Sequence, residues 1–285
     1  MRYVGYSEFY HDSGFAIINE DGTVEFATHG ERYSKKKNDP NIPDILWDMI
    51  NDDDHVSFYE DHGIKFDMRG GVEATGRSPE MIQSSEAFEK FPYPEASVYD
   101  AHHLHHESHC ASAFYTRPWD SSEDTVLVSI DGVGELQTAC IMDHKFNLIK
   151  EWHYPKSVGL VYTLVTKFLG LRPLEDEYVV MGLSAYHETC PKSKAITDWL
   201  IRWYEELSDI APEVSLGIAV GGSKSKREQD RLKFREKFER RILSVEDKVA
   251  ARAVQDFADY AIMSIMREAS KYGKKLCYSG GCAQN

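Results

Sequence analysis

Residues 102–135, HHLHHESHCASAFYTRPWDSSEDTVLVSIDGVGE, carry the pattern that decides the fold. Five of the chain's twelve histidines fall within the first eight of these positions. The first half, AHHLHHESHCASAFY when taken from Ala101, predicts a helix closed by Pro118. Residues four apart share a helix face, so two pairs are in register to meet one ion: His102 with His106, and His105 with His109. Two His at this spacing occur in helical zinc sites. No Glu occupies the H-E-x-x-H position between His105 and His109, which disfavours a zincin protease. The second half, TVLVSIDGVGE from Thr125, is apolar and rich in β-branched residues, and it breaks at Gly132 and Gly134. It predicts a buried strand that delivers Asp131 at its end. A carboxylate there, followed by glycine, is placed to hold a metal or approach a phosphate. Two His and one Asp form a three-ligand set with open positions, suited to Fe(II), Zn or Mn.

Working outward, residues 1–34 predict a β-meander: RYVGYSEF, HDSGFAIINEDG and TVEFATHGERYS, with Asp21-Gly22 as a tight hairpin turn. The loop between the first two strands carries His11, Asp12, Ser13 and Gly14; a short glycine-bearing loop can wrap phosphate with backbone N–H groups. The same pattern returns from Thr125 as TVLVSIDGVGE, LQTACIMDHK and NLIKEWHYP, again with Asp and Gly at the first turn. Two such units in one chain predict an internal structural duplication. DILWDMINDD and SPEMIQSSEAFEKF read as helices, the second capped by Ser78. SVGLVYTLVTKFLGL reads as an amphipathic helix with Gly170 near its end. Met181-Gly182-Leu183 reads as a turn after the acidic cluster Glu175, Asp176 and Glu177. Residues 187–245 read as charged and helical, with GIAVGGSKSKREQDR as an exposed break. VEDKVAARAVQDFADYAIMSIMREASKYG reads as a long helix ending at Gly273. LCYSGGCAQN is a buried strand entering Gly280-Gly281. A Gly-Gly there normally feeds a helix and lets backbone approach a nucleotide phosphate, yet the sequence offers no helix after it.

With 285 residues and 42% hydrophobic content the chain can build one large domain or two lobes. Its formal net charge of −14, from 33 Lys and Arg against 47 Asp and Glu, argues against general binding to nucleic-acid phosphates. Lys35-Lys36-Lys37 is a local basic exception. Five irregularly spaced cysteines without a C-x-x-C motif fit a reduced, cytoplasmic chain. No apolar run reaches membrane-spanning length, and no signal peptide is visible.

Several stretches fit one family in order: FYHDSGFAIINEDG, HGERYSKKKNDPNIP, HHESHCASAFY, VSIDGVGE, SVGLVYTLVTKFLGL, EDEYVVMGLSAY and LCYSGGCAQN. With them the chain resembles the O-carbamoyltransferases of antibiotic and nodulation-factor biosynthesis. Those proteins carry an actin-like ATPase (ribonuclease H-like) domain, similar to that of the tRNA threonylcarbamoyl-transfer proteins, followed by a YrdC-like domain. The resemblance implies an α/β fold of two lobes on mixed sheets. Lobe one, with the metal-binding helix, would cover 1–120. Lobe two would cover 124–285 and be incomplete at its C-terminus, with no YrdC-like domain in the chain. Helices 157–170 and 245–272 would pack on the second sheet.

The family pattern HHxxH aligns on His105, His106 and His109, so the implied metal ligands are His105, His109 and Asp131, with iron as the implied ion. His102 and His103 precede the motif. His11 is the implied general base and Asp12 the implied acceptor binder. Lys37 matches a Lys near the carbamoyl adenylate, although the His that follows it in the family is Asn38 here. Gly281 and Asn285 match the nucleotide-side GGxxxN, and Gly132 and Gly134 sit where backbone would contact phosphate. The implied reaction moves a carbamoyl group from carbamoyl adenylate, made from carbamoyl phosphate and ATP in the YrdC-like domain, to a hydroxyl of a small-molecule acceptor. On this reading the 285 residues are a truncated or split N-terminal portion, incomplete alone and, in the split case, complemented by a separate C-terminal chain. The alternatives are a tRNA threonylcarbamoyl transferase-like protein, disfavoured by the acidic charge, and a non-catalytic or split-protein remnant of the fold.

Overall fold

The structure is a computed structural model that describes residues 1–8, 12–59, 105–134, 137–154, 156–206 and 236–285. The chain divides into two compact units, Met1–Ser108 and His109–Asn285. The expected helices in SPEMIQSSEAFEKF and the break GIAVGGSKSKREQDR lie outside the described residues.

The first unit contains strands β1 (Arg2–Ser7), β2 (Gly14–Asn19), β3 (Val24–His29) and β4 (His55–Phe58). They form a sheet of order β3-β2-β1-β4. β1 runs antiparallel to β2 and parallel to β4. Strand side chains alternate between faces, so Val4, Tyr6, Phe15, Ile17, Val56 and Phe58 reach one buried cluster with Leu46 and Trp47. The last two come from the one-turn helix α2 (Asp44–Trp47), which follows α1 (Glu31–Ser34). α2 is shorter than DILWDMINDD promised. The amides of Met49 and Ile50 bond three residues back, to Leu46 and Trp47, so the helix tightens and ends.

The second unit repeats this design. Strands β5 (Thr125–Ile130), β6 (Gln137–Asp143), β7 (Leu148–His153) and β8 (Lys275–Ser279) form a sheet of order β7-β6-β5-β8. β5 is antiparallel to β6 and parallel to β8. The expected duplication holds in strand order and strand direction. The register shifts between Ile17 and Ile18 of β2, and between Gln137 and Ala139 and between Ile141 and Met142 of β6.

All six residues of β5 are buried, as a continuous apolar run requires when both faces are covered. One face carries α4 (Val158–Phe168) and the 23-residue α7 (Asp247–Ala269). Val126, Val128 and Ile130 share a cluster there with Val161, Val165, Ala250, Val254 and Phe257, so both expected helices pack on the second sheet. The other face receives Cys110 and Phe114 from α3 (His105–Tyr115), against Leu127, Cys140, Met142 and Cys277.

Two expectations fail. Residues around Met181-Gly182 are helical, in α5 (Glu177–Ser184). Val180 is fully buried in the core, and Glu177 Oε1 accepts bonds from Thr163 Oγ1 and the Leu174 amide. These outweigh the roughly 0.5–1 kcal/mol that a helical glycine costs. α6 (Pro191–Glu206) then follows. The second failure is after β8, where Gly281–Gln284 wind into one 3₁₀ turn, so Gly280-Gly281 does open a helical turn. Among the described residues no helix is long and apolar enough to cross a membrane.

Candidate metal centre

α3 and the tip of β5 build the site. The division between the compact units falls inside α3, but His105 and His109 ride one continuous helix, a turn apart. β5 ends at Ile130, and Asp131 follows with its amide still bonded to Thr138 O at 3.0 Å. Its position is therefore fixed by the sheet ladder. Asp131 Oδ2 lies 2.9 Å from His109 Nε2, and Oδ1 accepts the Gly132 N–H at 2.6 Å. His105, His109 and Asp131 each offer a ligand atom, and all three atoms lie within 4.8 Å of one another. Donors around one tetrahedral Zn-sized ion sit about 3.3 Å apart, given metal–ligand bonds near 2.0–2.2 Å. Small side-chain rotations close the difference, so the residues fit a divalent cation. His109 and Asp131 keep 33% and 23% of their side chains exposed, which leaves open positions for a ligand. His106, the member of the other pair, is fully buried, and His102 lies outside the described residues.

Of the residues expected on the nucleotide side, Gly281 approaches the same carboxylate. Gly280 turns β8 back with φ +91 and ψ 167. A Cβ on Gly281 would stand 2.9 Å from Asp131 Oδ1. Gly132 faces Leu160 of α4, and Gly134 closes the β5–β6 turn by donating to Gln137 O at 2.8 Å. Asn285 Oδ1 accepts from Gln255 Nε2 at 2.8 Å, and Gln255 Oε1 accepts from the Tyr162 hydroxyl at 2.9 Å. Burial raises the Cys282 thiol to about 12, with the Asp131 charge adding to it.

In the first unit Asp12 is exposed at φ +55, and Lys37 is exposed as well. The Ser13 amide donates to Asp39 O at 2.9 Å, and Glu8 Oε1 accepts the Ile42 N–H at 2.8 Å. These bonds tie the segment beside Asp12 to the loop that carries Lys37. His11 lies outside the described residues.

Sequence reasoning missed Ser157, Gly159, Tyr162 and Gln255. Ser157 had a readable signal, a Ser directly before an apolar helix, which is an N-cap. The others had none, because their neighbours come from distant parts of the chain.

Two mixed sheets of one topology, with a His₂–Asp cluster at the end of the second unit's first strand, define an α/β protein with a candidate metal centre. Residues 90–285 match the model of the Carbamoyltransferase N-terminus family, and the chain belongs to that family. The matched span includes His105, His109, Asp131, Gly281 and Asn285. An uncharacterized protein of Synechocystis sp. is 29% identical over 216 residues, 65% of this chain and 34% of that protein. An uncharacterized protein of Methanocaldococcus jannaschii is 27% identical over 284 residues, 96% of this chain and 49% of that protein. The chain thus spans half the length or less of these curated relatives. Among solved structures, an Aquifex aeolicus PPX-GPPA enzyme aligns with 98% of this chain and 96% of its own, at 10% identity and a TM-score of 0.30.

Proposed function

We propose that this chain is the acceptor-side part of a metal-assisted carbamoyltransferase with an actin-like fold. The reaction would move a carbamoyl group from carbamoyl adenylate to a hydroxyl of a small molecule. The observation that carries this reading is the convergence of His105, His109 and Asp131 within 4.8 Å, in a chain of the Carbamoyltransferase N-terminus family. The donor set fits Fe(II), and Zn or Mn equally in chemistry. When bound, the cation would supply Lewis-acid polarisation of the carbamoyl or phosphate oxygens.

The chain's own groups have separate tasks. His11 takes the proton of the acceptor hydroxyl as its oxygen bonds to the carbamoyl carbon. The bond from that carbon to the adenylate oxygen breaks, and AMP leaves with the electron pair. Lys37 offsets the charge on the departing phosphate, and Asp12 holds the acceptor. Gly281 and Asn285, with the backbone of Gly132 and Gly134, face the nucleotide. Carbamoyl adenylate itself is assigned to a YrdC-like domain or chain as partner, fed by carbamoyl phosphate and ATP.

The test pairs the chain with the YrdC-like domain of a family member, carbamoyl phosphate, ATP, Fe(II) and a panel of hydroxyl acceptors, followed by mass spectrometry. The expected result is a product heavier by one carbamoyl group, lost in His105→Ala and in Asp131→Asn. Product formation that survives both substitutions refutes the assignment.

A further inference from the structure

The peptide that follows Asp131 packs against another element, the first turn of α4. Ser157 is 1% exposed, and its Oγ donates to Gly132 O at 2.5 Å while accepting the Leu160 N–H at 3.0 Å. Two residues on, Gly159 lies flat against the same peptide. A Cβ there would meet Gly132 N at 2.7 Å, Gly132 Cα at 2.8 Å and the Asp131 carbonyl carbon at 2.9 Å. All three distances fall well below ordinary van der Waals contact, and all three atoms are backbone. The Gly132 N–H is also the group that holds Asp131 Oδ1, at 2.6 Å. Oδ2 of that carboxylate then faces His109 Nε2, at 2.9 Å.

We propose that Ser157 and Gly159 are positioning residues for the metal centre: by clamping the Asp131–Gly132 peptide they set the direction of the Asp131 carboxylate. This rests on the metal reading above and extends it to residues that touch neither ion nor substrate. The physical ground is that groups holding a ligand's orientation typically govern metal affinity by 10–100-fold when lost. Gly159 is required because only a residue without Cβ lets two backbones approach this closely. Ser157 is required because its hydroxyl both donates and accepts, which alanine cannot replace.

The experiment titrates the full chain with Co(II), recording the visible d–d spectrum and the binding isotherm, and takes a thermal melt without metal. The variants are Ser157→Ala, Ser157→Thr and Gly159→Ala, with His105→Ala as the ligand control. Ser157→Ala and Gly159→Ala are expected to weaken Co(II) by about 10–100-fold and to change the spectrum, because the carboxylate meets the ion at a new angle. Ser157→Thr keeps the hydroxyl and should restore the wild-type spectrum. A loss of melting temperature alone, with affinity and spectrum unchanged, overturns the positioning role and leaves the metal centre standing. Equal binding by wild type and His105→Ala overturns the metal reading itself. If Gly159→Ala fails to fold, the two Ser157 variants decide the matter.

Discussion

Gly280 and Gly281 are adjacent, yet an added methyl should harm them in different ways. At Gly280, φ is +91 and ψ 167, a region essentially restricted to glycine, and forcing another residue into it costs on the order of 1–3 kcal/mol. A Cβ would also stand 2.4 Å from Ile130 O and 2.9 Å from Ile130 C. Both are backbone atoms of the central strand, so the clash adds an overpacking cost of about 1–3 kcal/mol. Gly280→Ala should therefore destabilise the second unit by roughly 2–6 kcal/mol, a large share of the ~5–15 kcal/mol typical of a domain. Gly281 has no positive φ, and its Cβ would meet only a side-chain atom, Asp131 Oδ1, at 2.9 Å. The carboxylate can turn away by giving up its bond from the Gly132 N–H, so Gly281→Ala should cost about 0.5–1.5 kcal/mol. The turned carboxylate no longer faces His109, so divalent-cation affinity should drop. Urea denaturation followed by Trp fluorescence measures the first effect, and a Zn(II) or Co(II) titration the second. Equal destabilisation by the two variants would refute the reasoning, as would a Gly281→Ala protein that binds metal like wild type.

Other expectations are independent of that turn. Asp54 keeps 3% of its side chain exposed and is bonded to Arg2 at 2.6 and 3.0 Å. Burial pushes its carboxyl up, but the Arg2 bonds, the Asn51 amide and the neighbouring positive charges outweigh that and hold it below the usual range. Its stabilisation is thus full above about pH 4 and is lost as pH falls through the lowered value. Asp54→Asn should cost about 1.5–3 kcal/mol at neutral pH, and the gap to wild type in urea midpoints should close on acidification. Cys190 is lowered to about 7 by the Ser193 amide, with help from His187. It should alkylate first of the five free thiols, with a rate rising through about pH 7 in peptide mapping, whereas buried Cys110, Cys140 and Cys277 stay unmodified. On the metal reading, a divalent cation at 100 times its Kd should add about 2.7 kcal/mol to stability, and a chelator should remove that gain in a thermal melt.

Most of the fold was legible because strands announce themselves locally. Val4, Tyr6, Phe15 and Ile17 alternate with outward residues, and the six-residue run of β5 marks a strand covered on both faces. The repeat of two meanders could be seen in pattern, and the shared strand order of the two sheets shows it to be structural. Local signals failed where tertiary contacts set the outcome. Gly182 looked like a turn residue, but a Cβ there would meet nothing within 4 Å, so its lack of a side chain costs no packing. Its neighbour Val180, two positions earlier, is in the core, and the core decides.

The candidate metal centre divides in the same way. Spacing alone gave two histidine pairs on one helix, and no local rule chooses between them. The choice depends on which pair the end of a strand 22 residues away can reach from His109 to Asp131. His106 instead turns inward and is fully buried, so one face of α3 serves packing while the adjacent face carries the candidate ligands. That division explains why five histidines can crowd eight positions without all serving one purpose. It also explains why Ser157 and Gly159 stayed invisible: their partner is the backbone of residues 131 and 132, which carries no side-chain signal and is found only by folding the chain.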